Sequence, residues 1–201
     1  MARTSTRSKS NTADSDRTST SKRSYTGAIL GVSVVAALVA LVLLDPPPPG
    51  VEFPSQGNVH LAAIDEPHPP YNSSPPSSGW HMGFLAEWGV SEEPLPPELY
   101  IHNLEDRGIV LAYNCPDGCD DLQADLTGFV EEEGGFLVLT PYLDPIVDPD
   151  GQEYRAAAVA WKRVFYFDEL DDATRAEVET FVSLYEGIDH HAGSGGENVS
   201  N

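Results

Sequence analysis

The stretch IVLAYNCPDGCDDLQADLTGFVEEEGGFLVLT, Ile109–Thr140, reads as strand, turn, helix and strand in that order. Ile109–Asn114 is a short apolar run with branched and aromatic residues, the pattern of a buried strand. CPDGC is a turn, after which Asp120 or Asp121 can cap a helix running through Glu132. Leu122, Leu126, Phe129 and Val130 fall at i, i+4, i+7 and i+8, one face of that helix. Gly134-Gly135 ends it, and Phe136–Thr140 is a second buried strand.

Outward from this unit, Ala156–Phe167 (AAAVAWKRVFYF) reads as a long strand or a hairpin arm. A final helix is expected from about Asp171 to Glu186, with Val178, Phe181, Val182 and Tyr185 on its buried face. Towards the N-terminus, Leu99–Leu104 (LYIHNL) reads as a short strand. Pro141–Gly151 is a loop rich in Pro and Asp. Glu66–Ser78 (EPHPPYNSSPPSS) is too dense in proline for regular helix or central strand. It lies between apolar segments, so it is expected to wrap over the domain. The fold class is therefore α/β or α+β, with helices packed on a small mixed sheet.

A second apolar segment sets the organisation of the chain. Thr26–Leu44 (TGAILGVSVVAALVALVLL) is nineteen residues without a charge. At a rise of about 1.5 Å per residue it is long enough, as a helix, to cross a hydrocarbon core of about 30 Å. Residues 1–25 carry six Lys/Arg and two Asp, whereas the part after Leu44 carries five Lys/Arg against thirty Asp/Glu, a formal charge of −25. The positive-inside bias then leaves the N-terminus in the cytoplasm and the acidic part outside. The expected layout is a disordered tail (1–25), a transmembrane helix (26–44), a proline-rich spacer (45–56), an extracytoplasmic domain (57–187) and a disordered end (188–201). The partners this implies are the lipid bilayer and another membrane or envelope protein. A pI of 4.3 argues against nucleic acid, because phosphate contacts need clustered Lys and Arg.

Six histidines carry most of the candidate chemistry. His60, His81 and His102 lie among apolar neighbours outside the expected helices. Glu105 follows His102 at i+3, and Met82 adjoins His81. Imidazole suits zinc and copper, and a neighbouring thioether leans towards copper. His68 reads as a surface residue, and His190 and His191 as an incidental exposed pair in the tail. The chain contains no Gly-rich phosphate loop, no G-x-S-x-G and no H-E-x-x-H.

Cys115 and Cys119 are the only cysteines. Outside the cytoplasm an even pair reads as a disulfide. Their place between a strand and a helix N-terminus also resembles the strand–cysteines–helix layout of thioredoxin-like proteins, where the helix dipole favours a thiolate. CPDGC looks like the CPxxC stretch of the membrane-anchored copper chaperones that serve cytochrome oxidase. No proline stands just before Ala156, where a thioredoxin-like fold would put its cis-proline. A structural disulfide and a redox or copper-transfer pair both stay open on these residues.

Three stretches together resemble one bacterial family, the domain-of-unknown-function family 3105. They are PYNSSPPSSGWH (Pro70–His81), YIHNLEDRGIVLAYNC (Tyr100–Cys115) and VAWKRVFYFDEL (Val159–Leu170). The resemblance spans about residues 57–187. It implies a single membrane anchor and a histidine metal site mapping onto His60, His81, His102 and Glu105. The family's second histidine in H-N-L-E-H-G is replaced here by Asp106, followed by Arg107. Asp106 either ligates in its place, as a harder donor less suited to copper, or the site is altered. Three functions follow: a domain that binds copper or zinc without turnover, a thiol–disulfide or copper-transfer protein, and a non-catalytic envelope module.

Overall fold

The computed structural model describes residues 47–191, together with Thr4. The apolar run 26–44 lies outside the described residues. No helix among those described is long and apolar enough to cross a membrane.

The main sheet has six strands, in the order β1-β10-β9-β5-β6-β4. They are β1 (Val51–Glu52), β4 (Gly89–Val90), β5 (Ile109–Tyr113), β6 (Leu137–Pro141), β9 (Ala156–Ala160) and β10 (Arg163–Phe167). β4, β6 and β5 run parallel, whereas β9 is antiparallel to β5 and β10 to β9. Two smaller ribbons complete the strands: β2 (His60–Leu61) with β3 (His81–Met82), and β7 (Ile146–Val147) with β8 (Glu153–Tyr154). The helices are α1 (Pro97–Glu105), α2 (Asp120–Glu133) and α3 (Asp172–Tyr185).

Alternation along the central strands builds two cores. Ile109, Leu111, Leu137, Leu139, Ala156 and Ala158 face α2 and α3, packing with Leu126, Phe129, Val178 and Phe181. Val110, Ala112, Val138, Ala157 and Val159 face the other way, onto Tyr100, Ile101 and Leu104 of α1. β5 is buried on both faces, which is why it reads as an unbroken apolar run. Leu126 and Phe129 are fully buried, and burial stabilises each such side chain by about 1.5–3 kcal/mol.

The expected helices form close to the anticipated bounds. Asp171 caps α3 by accepting a hydrogen bond from the Thr174 N–H at 2.8 Å. At α2 the cap position is Cys119, without a side-chain bond; Asp120 and Asp121 sit in the first turn instead, at the positive end of the dipole. Ala156–Phe167 is a hairpin, β9 and β10 joined by the pair Trp161–Lys162.

Three expectations need correction. Leu99–Leu104 is helix, not strand: Pro97 stands in the first turn, where its missing N–H costs nothing, and Tyr100 to Glu105 are all buried. Its polar residues Glu98, His102 and Glu105 fall at i, i+4 and i+7, a helical spacing that the six-residue run LYIHNL is too short to show. The spacer assigned to 45–56 ends earlier, because Val51–Glu52 pair with β10 and Phe53 enters the core. The end assigned as disordered from 188 is tied down at first: Asp189 bridges to Asp106, and the His190 N–H donates to the Glu105 carbonyl at 3.0 Å.

The proline-dense loop is ordered against the domain. Ser77 and Ser78 are fully buried, the Ser77 carbonyl accepts from Lys162 N–H at 2.8 Å, and the Tyr71 hydroxyl donates to the Trp80 carbonyl at 2.7 Å.

Candidate metal centre

Local structure brings three distant histidines together. β2 and β3 pair in parallel with His60 opposite His81 and Leu61 opposite Met82. The His81 N–H donates to the Val59 carbonyl at 3.0 Å, which fixes that register. Alternation along β3 turns Met82 away from the side His81 takes. α1 supplies His102 and Glu105, one turn apart and both facing the ribbon. The imidazole centroids of His60, His81 and His102 form a triangle with sides of 5.0, 5.2 and 5.2 Å.

Glu105 is the hub. It is fully buried, and its Oε1 accepts from Asn58 Nδ2 at 2.7 Å. Its Oε2 lies 3.0 Å from His81 Nε2, 3.8 Å from His60 Nε2 and 4.0 Å from His102 Nδ1. Taken as one donor atom per residue, His60, His81, His102 and Glu105 all fall within 4.8 Å of one another. Donor atoms held at about 2.0–2.1 Å from a tetrahedral ion stand about 3.3 Å apart, so the set is close to coordination spacing.

The outer nitrogens are held as well. His81 Nδ1 donates to the Gly79 carbonyl at 2.7 Å, which leaves Nε2 facing Glu105 at 3.0 Å, as hydrogen-bond donor to the carboxylate or, with that proton given up, as a metal ligand. His102 Nδ1 is buried with no hydrogen-bond partner, although it faces the same point. Burial, then the neighbouring His81, lowers the His102 pKa below its ordinary value. Burial acts to raise the pKa of Glu105, but hydrogen bonds from His81 and Asn58 outweigh it and hold the carboxyl down to about 2. The cluster thus keeps one carboxylate ionised and favours a neutral imidazole at His102, the protonation states ligation needs.

Asp106 is not one of these four donors but forms, with His102 and His191, a second group whose ligand atoms lie within 4.8 Å of one another and could hold a metal. Its Oδ2 is 3.6 Å from His102 Nε2 and its Oδ1 is 3.0 Å from His191 Nδ1. His191, read from the sequence as incidental, places Nε2 3.5 Å from Glu105 Oε2. The only signal in the sequence was the His190-His191 pair itself, since its approach depends on the chain returning after α3. His190 stacks on Trp161 at 5.9 Å between centroids. His68 lies elsewhere, with Nε2 3.0 Å from Glu98 Oε1.

Cys115 and Cys119 are joined to each other as a disulfide. They follow the C-terminal end of β5, whereas Glu105 and Asp106 precede its start. Five strand residues at about 3.3 Å each keep the two places apart. A cleft of about 700 Å³ beside Cys119 is lined by Asp117, Asp120, Asp121, Asp125, Glu169 and Asp171, with Arg155 as the cation.

No curated protein and no solved structure gives a significant match to the chain. A family profile matches residues 66–197, a span that takes in His81, His102, Glu105, Asp106, both cysteines and His191. The chain belongs to the family described as protein of unknown function, DUF3105.

Proposed function

We propose that the chain is a membrane-anchored protein whose folded domain, held outside the cytoplasm, binds one zinc or copper ion through His60, His81, His102 and Glu105. The observation that carries this reading is the convergence of three imidazoles from three separate segments on one buried carboxylate oxygen, within 4.0 Å. Such an arrangement is costly for a structural network, because it leaves His102 Nδ1 unpaired in the interior. A cation at the centre satisfies all four groups at once. The donor set of nitrogen and oxygen suits zinc or copper. Binding without turnover is the function read for this site. The anchor rests on the charge asymmetry around the uncharged run 26–44.

The cysteine reading has one point in its favour. β5, α2, β6, β9, β10 and α3, in the sheet order β6-β5-β9-β10, follow the order of a thioredoxin-like fold, with the cysteines at the start of its first helix. The six surrounding carboxylates oppose the negative charge that a reactive thiolate must carry. We take the disulfide as structural.

The test is metal uptake by the purified chain at high ionic strength, which screens loose binding to the acidic surface. One ion per chain is expected, with His102→Ala abolishing uptake and His68→Ala leaving it intact. Weak, multi-site binding that His102→Ala does not change refutes the site.

A further inference from the structure

We infer that His191 is a fifth ligand of this centre and that the segment Gly187–His191 is a strap which metal binding fastens across it; the inference rests on the metal reading above. Four independent contacts lay this segment on the site. The Gly187 N–H donates to the Arg107 carbonyl at 2.8 Å, and the His190 N–H donates to the Glu105 carbonyl at 3.0 Å. Arg107 Nη2 meets Asp189 Oδ2 at 3.5 Å, and the His190 ring lies on Trp161. Together they deliver His191 to the open side of the cluster, the side that Glu105, His81 and α1 leave to solvent.

The imidazole stands beside the four inner donors, grouped with His102 and Asp106, so a small inward movement completes its ligation. Its Nε2 points inward, 3.5 Å from the shared Glu105 oxygen, in the range that His60 and His102 occupy. Its Nδ1 lies between Asp106 Oδ1 at 3.0 Å and Asp189 Oδ1 at 3.2 Å. A carboxylate on the far nitrogen orients the ring and leaves the inner nitrogen free as a donor. The other Asp106 oxygen faces His102 Nε2 at 3.6 Å, beyond hydrogen-bond distance. Asp106 is thus a positioning residue for His191. The donor set becomes four nitrogens and one oxygen. That exceeds the four ligands of tetrahedral zinc and fits tetragonal copper(II).

A consequence follows for dynamics. His191 is half exposed, and the strap is held by polar contacts at the surface rather than by core packing. Without the ion it can lift; with the ion its last ligand pins it down.

Copper(II) added to the full purified chain tests this. Wild type, His191→Ala, Asp106→Asn and the remote control His68→Ala are titrated, and imidazole nitrogens are counted by pulsed electron paramagnetic resonance. Hydrogen exchange follows the backbone amides of residues 187–191. Wild type is expected to bind one ion with four imidazoles and to slow exchange in the strap. His191→Ala should still bind one ion, with three imidazoles, at least about 100-fold more weakly and without strap protection. Asp106→Asn should lose about 10–100-fold, the range for removing an orienting carboxylate. If wild type binds no ion, the metal reading itself fails. If it binds one ion and His191→Ala keeps the same affinity, nitrogen count and strap exchange, only the present inference is overturned.

Discussion

Replacing Glu105 by glutamine removes the charge on which the imidazoles converge and leaves the shape of the side chain nearly unchanged. In the metal-free protein its effect on stability follows from the structure. Burial alone would push the carboxyl up, yet hydrogen bonds from His81 and Asn58 hold it at about 2, against an ordinary value of 4.5. That difference corresponds to about 3 kcal/mol in favour of the folded state when the group is ionised. The folded value lies below the unfolded one. The contribution is therefore complete above about pH 4.5 and disappears as the pH falls through about 2. His102 adds an earlier loss: burial lowers its pKa, so folding resists its protonation and stability begins to fall below about pH 6.5. Glu105→Gln should cost about 3 kcal/mol at pH 7. The two proteins should converge as the pH approaches 2. Urea unfolding of both proteins with chelator present, from pH 2 to 7, measures this. The other carboxylates titrate in both, so the difference between the curves isolates Glu105. A glutamine variant as stable as wild type at pH 7, or one that runs parallel to it down to pH 2, would refute the reasoning.

Asn103 lies between the site residues but serves the fold: its amide accepts from Ala86 N–H at 2.9 Å and donates to the Ala86 carbonyl at 3.0 Å, both buried. Asn103→Ala orphans both backbone groups and should cost about 2–5 kcal/mol in urea unfolding at neutral pH, chelator present. Cys115 and Cys119 should resist alkylation until reduced, as intact mass would show. Converting both to serine should lower stability by about 2 kcal/mol, the loop-closure value for so short a ring, with metal uptake unchanged. A carbonate wash should leave the full-length chain in the membrane pellet; recovery of a soluble form beginning near Asp45 would contradict the anchor.

The central layer was legible because its signals are local. β5 and β6 are apolar runs bounded by turn residues, and α2 and α3 carry one apolar stripe each against an otherwise acidic surface. α1 was not, since the run read as a strand, Leu99–Leu104, stops short of the residues that complete its helical spacing. Its real signals were Pro97 as a helix start and the spacing of His102, Glu105 and Asp106 at i, i+3 and i+4. β1 hid behind proline composition, because two residues that complete a sheet edge have no periodicity to read. Of the candidate site, His60, His81, His102 and Glu105 were identifiable as residue types, but their meeting depends on the β2–β3 register and the docking of α1, both long-range. His191 depends on the path of the chain after α3, which no local pattern encodes.

X-ray absorption at the edge of the bound metal reads the donors directly and separates the three functions. The account predicts one ion with a shell of nitrogen and oxygen at about 2.0–2.1 Å, and the outer scattering of imidazole rings that His102→Ala removes. A shell containing sulfur would move the metal to Cys115 and Cys119. A shell of oxygen alone, without imidazole, would assign it to the acidic surface and contradict the account.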